Sequence, residues 1–324
     1  MKLAVMYSGQ GSQKVGMGTD IYNDSPIGKD IFNKANTLLN RDIISICLNG
    51  PSEDLNQTKN TQIAITIISI ALTLILKEEL KKKNVLFTPY CACGHSLGEF
   101  SALWLIGFLS TDELIKLVSI RGNLMQNAPQ GNMMAVLNLD ESKIKNLISE
   151  SEGNITLANY NTPNQFVISG RKDNIEKLTE KIKLNGGKAI ILPVSGAFHS
   201  PLMEEASKVF NLEIDKLVLS NIKNISIPVY QNTDGNPNKD PLIIKEKLKK
   251  QMTSSVLWTQ TINNLVKDGV TTVVEIGPGK ILTGLVKKIN PDIECHNIND
   301  LITLQEFILF YESKLQSTRQ SKTT

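Results

Sequence analysis

An α/β fold with a small inserted subdomain is predicted by three observations on this 324-residue chain. An apolar strand-like run delivers Gly94-His95-Ser96-Leu97-Gly98 into an apolar helix-like run, the strand, tight turn and helix of a nucleophile elbow. Residues 131–194 read in the order β-α-β-β-α-β, a split motif complete in itself. Outside that stretch, apolar runs of strand length alternate with helical patterns. The expected organisation is therefore a larger core from 1–130 and 195–315, the insert at 131–194, and a disordered Ser/Thr/Gln/Lys tail at 316–324.

Composition removes several classes of function. With 41% hydrophobic and 21% charged residues the chain has an ordinary globular make-up and ample length for a core. The formal net charge of +3 comes without any basic cluster interleaved with aromatics, so no nucleic acid partner is expected. A mild positive field suits an acidic protein or a phosphorylated ligand instead. The longest apolar run, 63–76, is too short to span a bilayer, so no membrane is expected. Four irregularly spaced cysteines make no disulfide framework and fit a reducing compartment. Cys91, Cys93 and His95 lack a second ligand pair, so no metal site is expected. Leu3 opens a strand almost at once, leaving no room for a targeting peptide, and a cytoplasmic location follows.

The elements justify themselves in order. Leu3 to Tyr7 is a short strand that breaks into a glycine-bearing loop at 8–13. A dinucleotide fingerprint would need glycine where Lys14 stands, so the remaining uses are a plain tight turn or close backbone approach to a reacting group. In the second case the Gln10 N–H becomes an oxyanion donor. Residues 20–80 are helical apart from a turn at 49–52, with Thr61 as N-cap of an apolar helix at 63–76. Gln62, polar at the head of that helix, either satisfies backbone or lines a pocket. The strand expected at 86–93 then enters the elbow, where two glycines leave room for the backbone to double back and Ser96 is exposed as nucleophile. Leu97 opens the helix expected at 97–109, and its N–H faces a developing negative charge.

Ser110 and Glu113 form a capping box that starts the next helix. On it Arg121 shares the apolar stripe of Leu114, Leu117, Val118, Leu124 and Met125. A guanidinium there needs an anion, either an internal Asp or Glu or a substrate carboxylate gripped by two parallel bonds. The insert follows, with strands at 133–139, 155–159, 165–169 and 189–194, helices at 141–149 and 174–185, and a turn at 161–164; this is the ferredoxin-like order. The chain leaves it through Ser195 to Pro201, where Ser200 is an N-cap and Pro201 a first helical residue. His199 thus sits just outside a helix N-terminus, whose dipole keeps it neutral, and is the candidate base for Ser96. A helix at 242–252 leaves the Gln251 carbonyl near its end without an intrahelical partner. A strand at 271–276, a Gly-Pro-Gly turn, a helix from Lys280 and a closing helix at 305–315 complete the core.

Taken together, Gly-Gln-Gly-Ser-Gln at 9–13, Thr61-Gln62, Gly-His-Ser-Leu-Gly-Glu at 94–99, Arg121-Gly122 with Met125-Gln126, Gly-Ala-Phe-His-Ser at 196–200 and Glu-Ile-Gly-Pro-Gly-Lys at 275–280 are informative as a set. From residue 1 to about 310 the chain resembles the malonyl-CoA:acyl-carrier-protein transacylases of type II fatty acid synthesis. The resemblance implies an α/β-hydrolase-like core with the ferredoxin-like insert. It implies a cofactor-free, ping-pong transfer from malonyl-CoA to the phosphopantetheine thiol of acyl carrier protein; the protein itself is expected to be a monomer. Ser96 would carry the malonyl ester, His199 would move the proton, Gln10 and Leu97 would hold the oxyanion and Arg121 the malonyl carboxylate. The backbone carbonyl of Gln251 would orient His199. Phe198, bulky beside His199, favours malonyl over branched units. Ser8 and Ile63 stand where proline is usual, and Phe100 where tyrosine is common; none is a catalytic position. The alternatives are a polyketide-type acyltransferase, a serine thioesterase or other hydrolase, and a non-catalytic carrier-docking module.

Overall fold

The computed structural model describes residues 1–320 apart from Glu152, Ser195, Ser220, Asn221, Lys223 and Asn224, with 317–320 described by their backbone. The first stretch holds β1 (Leu3–Tyr7), α1 (Thr19–Asp24), α2 (Pro26–Leu39), α3 (Ile43–Leu48), α4 (Ser52–Leu55) and α5 (Thr58–Lys82), then β2 (Cys91–Gly94), α6 (Gly98–Leu105) and α7 (Thr111–Gln126). The insert is β3 (Asn132–Leu137), α8 (Glu141–Ser149), β4 (Ile155–Thr162), β5 (Gln165–Gly170), α9 (Lys172–Leu184) and β6 (Lys188–Ile191). The return to the core supplies α10 (Glu204–Asp215), β7 (Val229–Tyr230), β8 (Pro237–Asn238), α11 (Pro241–Lys250) and α12 (Trp258–Lys267). The chain closes with β9 (Thr272–Ile276), α13 (Ile281–Ile289), β10 (Glu294–Ile298) and α14 (Leu301–Gln320).

Among the described residues two sheets form. The larger runs β10-β9-β1-β2-β7-β8, parallel except where β8 pairs antiparallel with β7. Both its faces are covered, as a parallel sheet requires. Alternation along β1 divides the core: Leu3, Val5 and Tyr7 join the cluster under α2, α5 and α7, while Ala4 and Met6 face Trp258, Ile262 and Leu285 of α12 and α13. The helix α5 is buried almost all round, which is why its sequence carries apolar residues without a polar stripe. The smaller sheet is antiparallel, in the order β4-β5-β3-β6, with α8 and α9 packed on one face through Ile144, Leu147, Ile175, Leu178 and Ile182. It is stitched to the core beside β4, where the Val256 N–H donates to the Ala158 carbonyl (2.8 Å) and the Tyr160 N–H to the Val256 carbonyl (2.9 Å).

Several expected boundaries shift, each for a local reason. The strand expected at 86–93 shrinks to β2, because β1 offers partners only from Ala4 opposite Cys91 onward, and Pro89 has no N–H to give. Leu86 is accordingly exposed. Thr61 does not cap a helix, since α5 begins three residues earlier; its hydroxyl donates instead to the Leu55 carbonyl at the end of α4. The elbow helix stops at Leu105, short of 109, and Asn161 and Thr162 belong to β4 rather than to a turn. The closing helix α14 is longer than expected at both ends and continues to Gln320 through part of the stretch expected to be disordered; residues 321–324 lie outside the described residues. The capping box at Ser110 and Glu113 forms as expected.

Candidate active site

The C-terminal ends of β1 and its neighbours form the crevice in which open α/β sheets bind ligands, since β1 leads on to β2 on one side while β9, its neighbour on the other, leads on to β10 in the opposite direction. Three close backbone approaches build it. A Cβ at Gly94 would run into the backbone of Gly98, one at Gly98 into the Tyr7 carbonyl, and one at Gly9 into the carbonyl of His95. The loop after β1 and the turn after β2 can thus lie against each other only because these positions are glycine. Ser96 takes φ 49°, the left-handed conformation that a side chain adopts at a cost. His199 does the same with φ 57°.

The two meet: Ser96 Oγ lies 2.8 Å from His199 Nε2. On its other side His199 Nδ1 is 3.0 Å from the Gln251 carbonyl and 3.0 Å from the Ser254 carbonyl. Carbonyls only accept, so the proton sits on Nδ1 and Nε2 is free to accept from the Ser96 hydroxyl. His199 is held neutral, its pKa lowered from 6.5 to about 3, first by burial, then by the charge of Arg121 and by His95. Ser200 caps the turn that follows as expected, its hydroxyl accepting from the Leu202 N–H (3.2 Å), and this 3-10 turn, Pro201–Met203, runs directly into α10.

Arg121 is fully buried. Its Nη1 donates to Gln62 Oε1 (2.9 Å), and its Nη2 donates to Gln251 Oε1 (3.0 Å) and to Ser96 Oγ (3.2 Å). Its guanidinium lies 5.2 Å from the Phe100 ring centre, and its Nε has no acceptor among the described residues. No carboxylate lies within ion-pair distance of it among the described residues, and the groups that touch it are neutral acceptors. The buried Glu99 lies near enough to offset part of the desolvation that lowers the Arg121 pKa to about 10. Gln62 supports the Arg121 guanidinium and donates to Met125 Sδ (3.2 Å).

A cavity of about 180 Å³ opens over these groups. Gln10, Ser96, Leu97, Arg121, Phe198 and His199 all line it, so six of the residues singled out in the sequence converge there. Neither the Gln10 N–H nor the Leu97 N–H meets an acceptor among the described residues. Asn159 and Asn161 on β4 and Gln165 on β5 line the side given by the small sheet. Three contributors carried no usable signal in the sequence. The Ser254 carbonyl could not show itself through a side chain, while Gln231 and Asn232 follow a strand of two residues, too short to read. A pair of amides directly after an apolar strand fragment is the trace that was there.

The geometry has a consequence for pH. The kcat/KM profile reports groups of the free protein, so its acidic limb is expected well below the ordinary imidazole value of 6.5, toward about 3. The sign for stability follows from the same depression: between about 3 and 6.5 the unfolded chain binds a proton that the folded chain refuses, so this group costs stability as pH falls through that window. Initial rates taken from about pH 4 to pH 8 check it; an acidic midpoint close to that of free imidazole would show that burial does not govern His199.

Among the described residues no helix is long and apolar enough to cross a membrane, and no group of three His, Cys, Asp or Glu could hold a metal ion. Residues 5–296 match the acyl transferase domain family. The chain is 39% identical over 311 residues to the malonyl CoA-acyl carrier protein transacylase of Bacillus subtilis (strain 168), covering 94% of this chain and 95% of that one. It is 35% identical over 317 residues to the protein of the same name from Haemophilus influenzae, covering 95% and 99%. Among solved structures, a malonyl CoA-acyl carrier protein transacylase from Clostridium perfringens superposes with a TM-score of 0.88 at 35% identity, covering all of both chains. A malonyl-transacylase solved in complex with a type II PKS acyl-carrier protein gives 0.87 at 32% identity, covering 94% of this chain and 98% of that one.

Proposed function

This chain belongs to the acyl transferase family and, within it, to the malonyl CoA-acyl carrier protein transacylases, and from that premise we propose how it moves malonyl from malonyl-CoA to acyl carrier protein in fatty acid biosynthesis. The core is read as α/β-hydrolase-like, on its elbow and parallel sheet, and the insert as ferredoxin-like, on the strand order β4-β5-β3-β6. The protein acts in the cytoplasm, as a monomer and without a cofactor.

The carrying observation is Arg121: a buried guanidinium whose Nε has no acceptor among the described residues, whose Nη2 lies 3.2 Å from the nucleophilic oxygen, and whose direct contacts are all neutral. A malonyl group has a carboxylate one carbon away from its thioester carbonyl. Gripping that carboxylate at Arg121 therefore brings the carbonyl carbon to Ser96 and converts binding into orientation.

Ser96 Oγ attacks the thioester carbon while His199 Nε2 takes the hydroxyl proton. The oxyanion of the tetrahedral intermediate falls between the N–H groups of Gln10 and Leu97, which have no competing acceptor. Collapse breaks the C–S bond, the proton on His199 goes to the departing CoA sulfur, and the malonyl ester remains on Ser96. In the second half His199 takes the proton of the carrier's phosphopantetheine thiol, the thiolate attacks the ester, and the proton returns to Ser96 as the serine oxygen leaves. The carbonyls of Gln251 and Ser254 stabilise the transient imidazolium in place of an acid, and a thiolate is a good enough leaving group for that to suffice. Phe198 closes the cavity beside His199 and leaves room for a small acyl group.

Intact-protein mass spectrometry after brief mixing with malonyl-CoA tests the proposal. A malonyl adduct that persists in buffer, disappears when phosphopantetheinylated carrier is added, and is weak with acetyl-CoA is the expected result. Drainage of the adduct to water without carrier would make the protein a thioesterase, and no adduct at all would leave only carrier docking.

A further inference from the structure

We propose that Asn232 is a positioning residue which holds the peptide of Ser96 in its left-handed conformation, and that Glu99 is the buried carboxylate which fixes Asn232 for that task. The proposal rests on the reading of Ser96 as nucleophile.

Asn232 is buried, with every polar group engaged on the elbow or its supports. Its Oδ1 accepts from the Ser96 N–H at 2.7 Å, and its Nδ2 donates to the Gly94 carbonyl at 2.7 Å. Its own N–H donates to Glu99 Oε2 at 2.7 Å, and its carbonyl accepts from the Leu257 N–H at 2.9 Å. The Gly94 carbonyl and the Ser96 N–H flank His95, and on a continuing strand they would face the next strand as one rung of a ladder. The pairing of β2 with β7 runs Ala92 with Val229 and Cys93 with Tyr230 and then ends. Asn232 lies two residues past Tyr230, and its side-chain amide supplies the missing rung where the backbone turns away.

That rung sits where it is most needed. A serine at φ 49° persists only if its surroundings over-determine it. Gln251 Nε2 donates to the Ser96 carbonyl at 2.7 Å, which fixes the peptide carrying the Leu97 N–H. Asn232 fixes the peptide on the other side, so the two amides hold the nucleophile from before and behind. Without Asn232 the Ser96 N–H is free to swing, and the Oγ to Nε2 alignment swings with it. Glu99, in the first turn of α6 and fully buried, also accepts from Gln231 Nε2 (3.3 Å), whose amide donates in turn to the Ile244 carbonyl (3.1 Å). Burial raises the Glu99 pKa to about 7 against the pull of those donors, which marks a carboxyl placed for its hydrogen bonds and not for solvent.

The test uses an alkyl fluorophosphonate as well as malonyl-CoA. In the phosphonate reaction Ser96 Oγ bonds to phosphorus, fluoride leaves and the proton passes to His199, so the rate reads alignment of the pair without any carboxylate contact. Asn232→Ala is expected to slow both phosphonylation and kcat by about a hundredfold, with KM for malonyl-CoA within about threefold of wild type. Asn232→Asp keeps the acceptor for the Ser96 N–H but sets an oxygen against the Gly94 carbonyl, and should fall between, at about tenfold. Glu99→Ala should follow Asn232→Ala, and Glu99→Gln, which keeps an acceptor for the Asn232 N–H, should restore most of the rate. If Asn232→Ala does not fold, the two remaining comparisons carry the result. A folded Asn232→Ala that is phosphonylated at the wild-type rate overturns the proposal. So does a Glu99→Gln as damaged as Glu99→Ala. If the wild type forms no malonyl adduct while phosphonylation still responds to these variants, the malonyl reading falls and the clamp stands.

Discussion

Ser96→Ala is expected to abolish the covalent malonyl-protein and to lower carrier malonylation by roughly five orders of magnitude. The loss is so large because the step has no substitute nucleophile. Among the described residues the cysteine thiols at 47, 91 and 93 are buried, and burial pushes each of them up, away from the reactive thiolate. His199 Nε2 lies 2.8 Å from the serine oxygen, a position that suits it to take the serine's proton and not to reach the thioester carbon itself. The substitution removes one acceptor from Arg121 Nη2 without touching Gln62 or Gln251, so malonyl-CoA should still bind. KM or Kd for malonyl-CoA is expected within about threefold of wild type. Quenched single-turnover assays with intact-mass detection measure both quantities, and a malonyl adduct surviving in Ser96→Ala would remove the serine from the mechanism.

Arg121→Ala is expected to lower kcat/KM for malonyl-CoA by about a thousandfold while leaving acetyl-CoA near its wild-type value. The magnitude is less than that of an uncompensated buried cation. Gln62, Gln251 and Ser96 already accept from the guanidinium, so an acetyl group meets a partly satisfied arginine. What malonyl adds is the exchange of neutral acceptors for a carboxylate able to engage two donors at once. Lysine should not rescue the loss, since it lacks the planar fork. The acetyl-CoA rate is the control that decides the assignment. Should it drop in the same proportion, Arg121 would be supporting the site through Gln251, and the substrate carboxylate would bind elsewhere.

The elbow, the capping box at Ser110, the insert and the chemistry-bearing side chains were legible because each leaves a periodic or compositional trace. Arg121 is the clearest instance: a charge on an apolar stripe is a contradiction that only an anion or a set of neutral acceptors resolves. Its spacing could not say which; the glutamines that hold it come from α5 and from the end of α11, far apart in sequence. The place of Gln62 was out of reach for the same reason, since whether a buried amide faces a cavity or a neighbouring side chain is decided by tertiary packing. The strand expected at 86–93 was over-long because apolar content alone does not reveal that β1 has run out of partners. Asn232 and Glu99 were passed over because their work is done on backbone groups of another segment.

The proton-bearing nitrogen of His199 points at two main-chain oxygens, those of Gln251 and Ser254, and at no side chain. Every amino acid carries such an oxygen. The part played in many triads by an aspartate is here written in chain path and not in residue type, so a saturation mutagenesis screen would find no acid paired with His199 to delete. Substitutions at 254 should pass almost silently, whereas adding or removing one residue between 250 and 256 should erase catalysis by shifting the phase of the loop. For anyone redesigning this protein, spacing in that loop is the protected quantity, and apart from Gln251, whose side-chain amide holds Arg121 and the Ser96 carbonyl, its letters are free to drift.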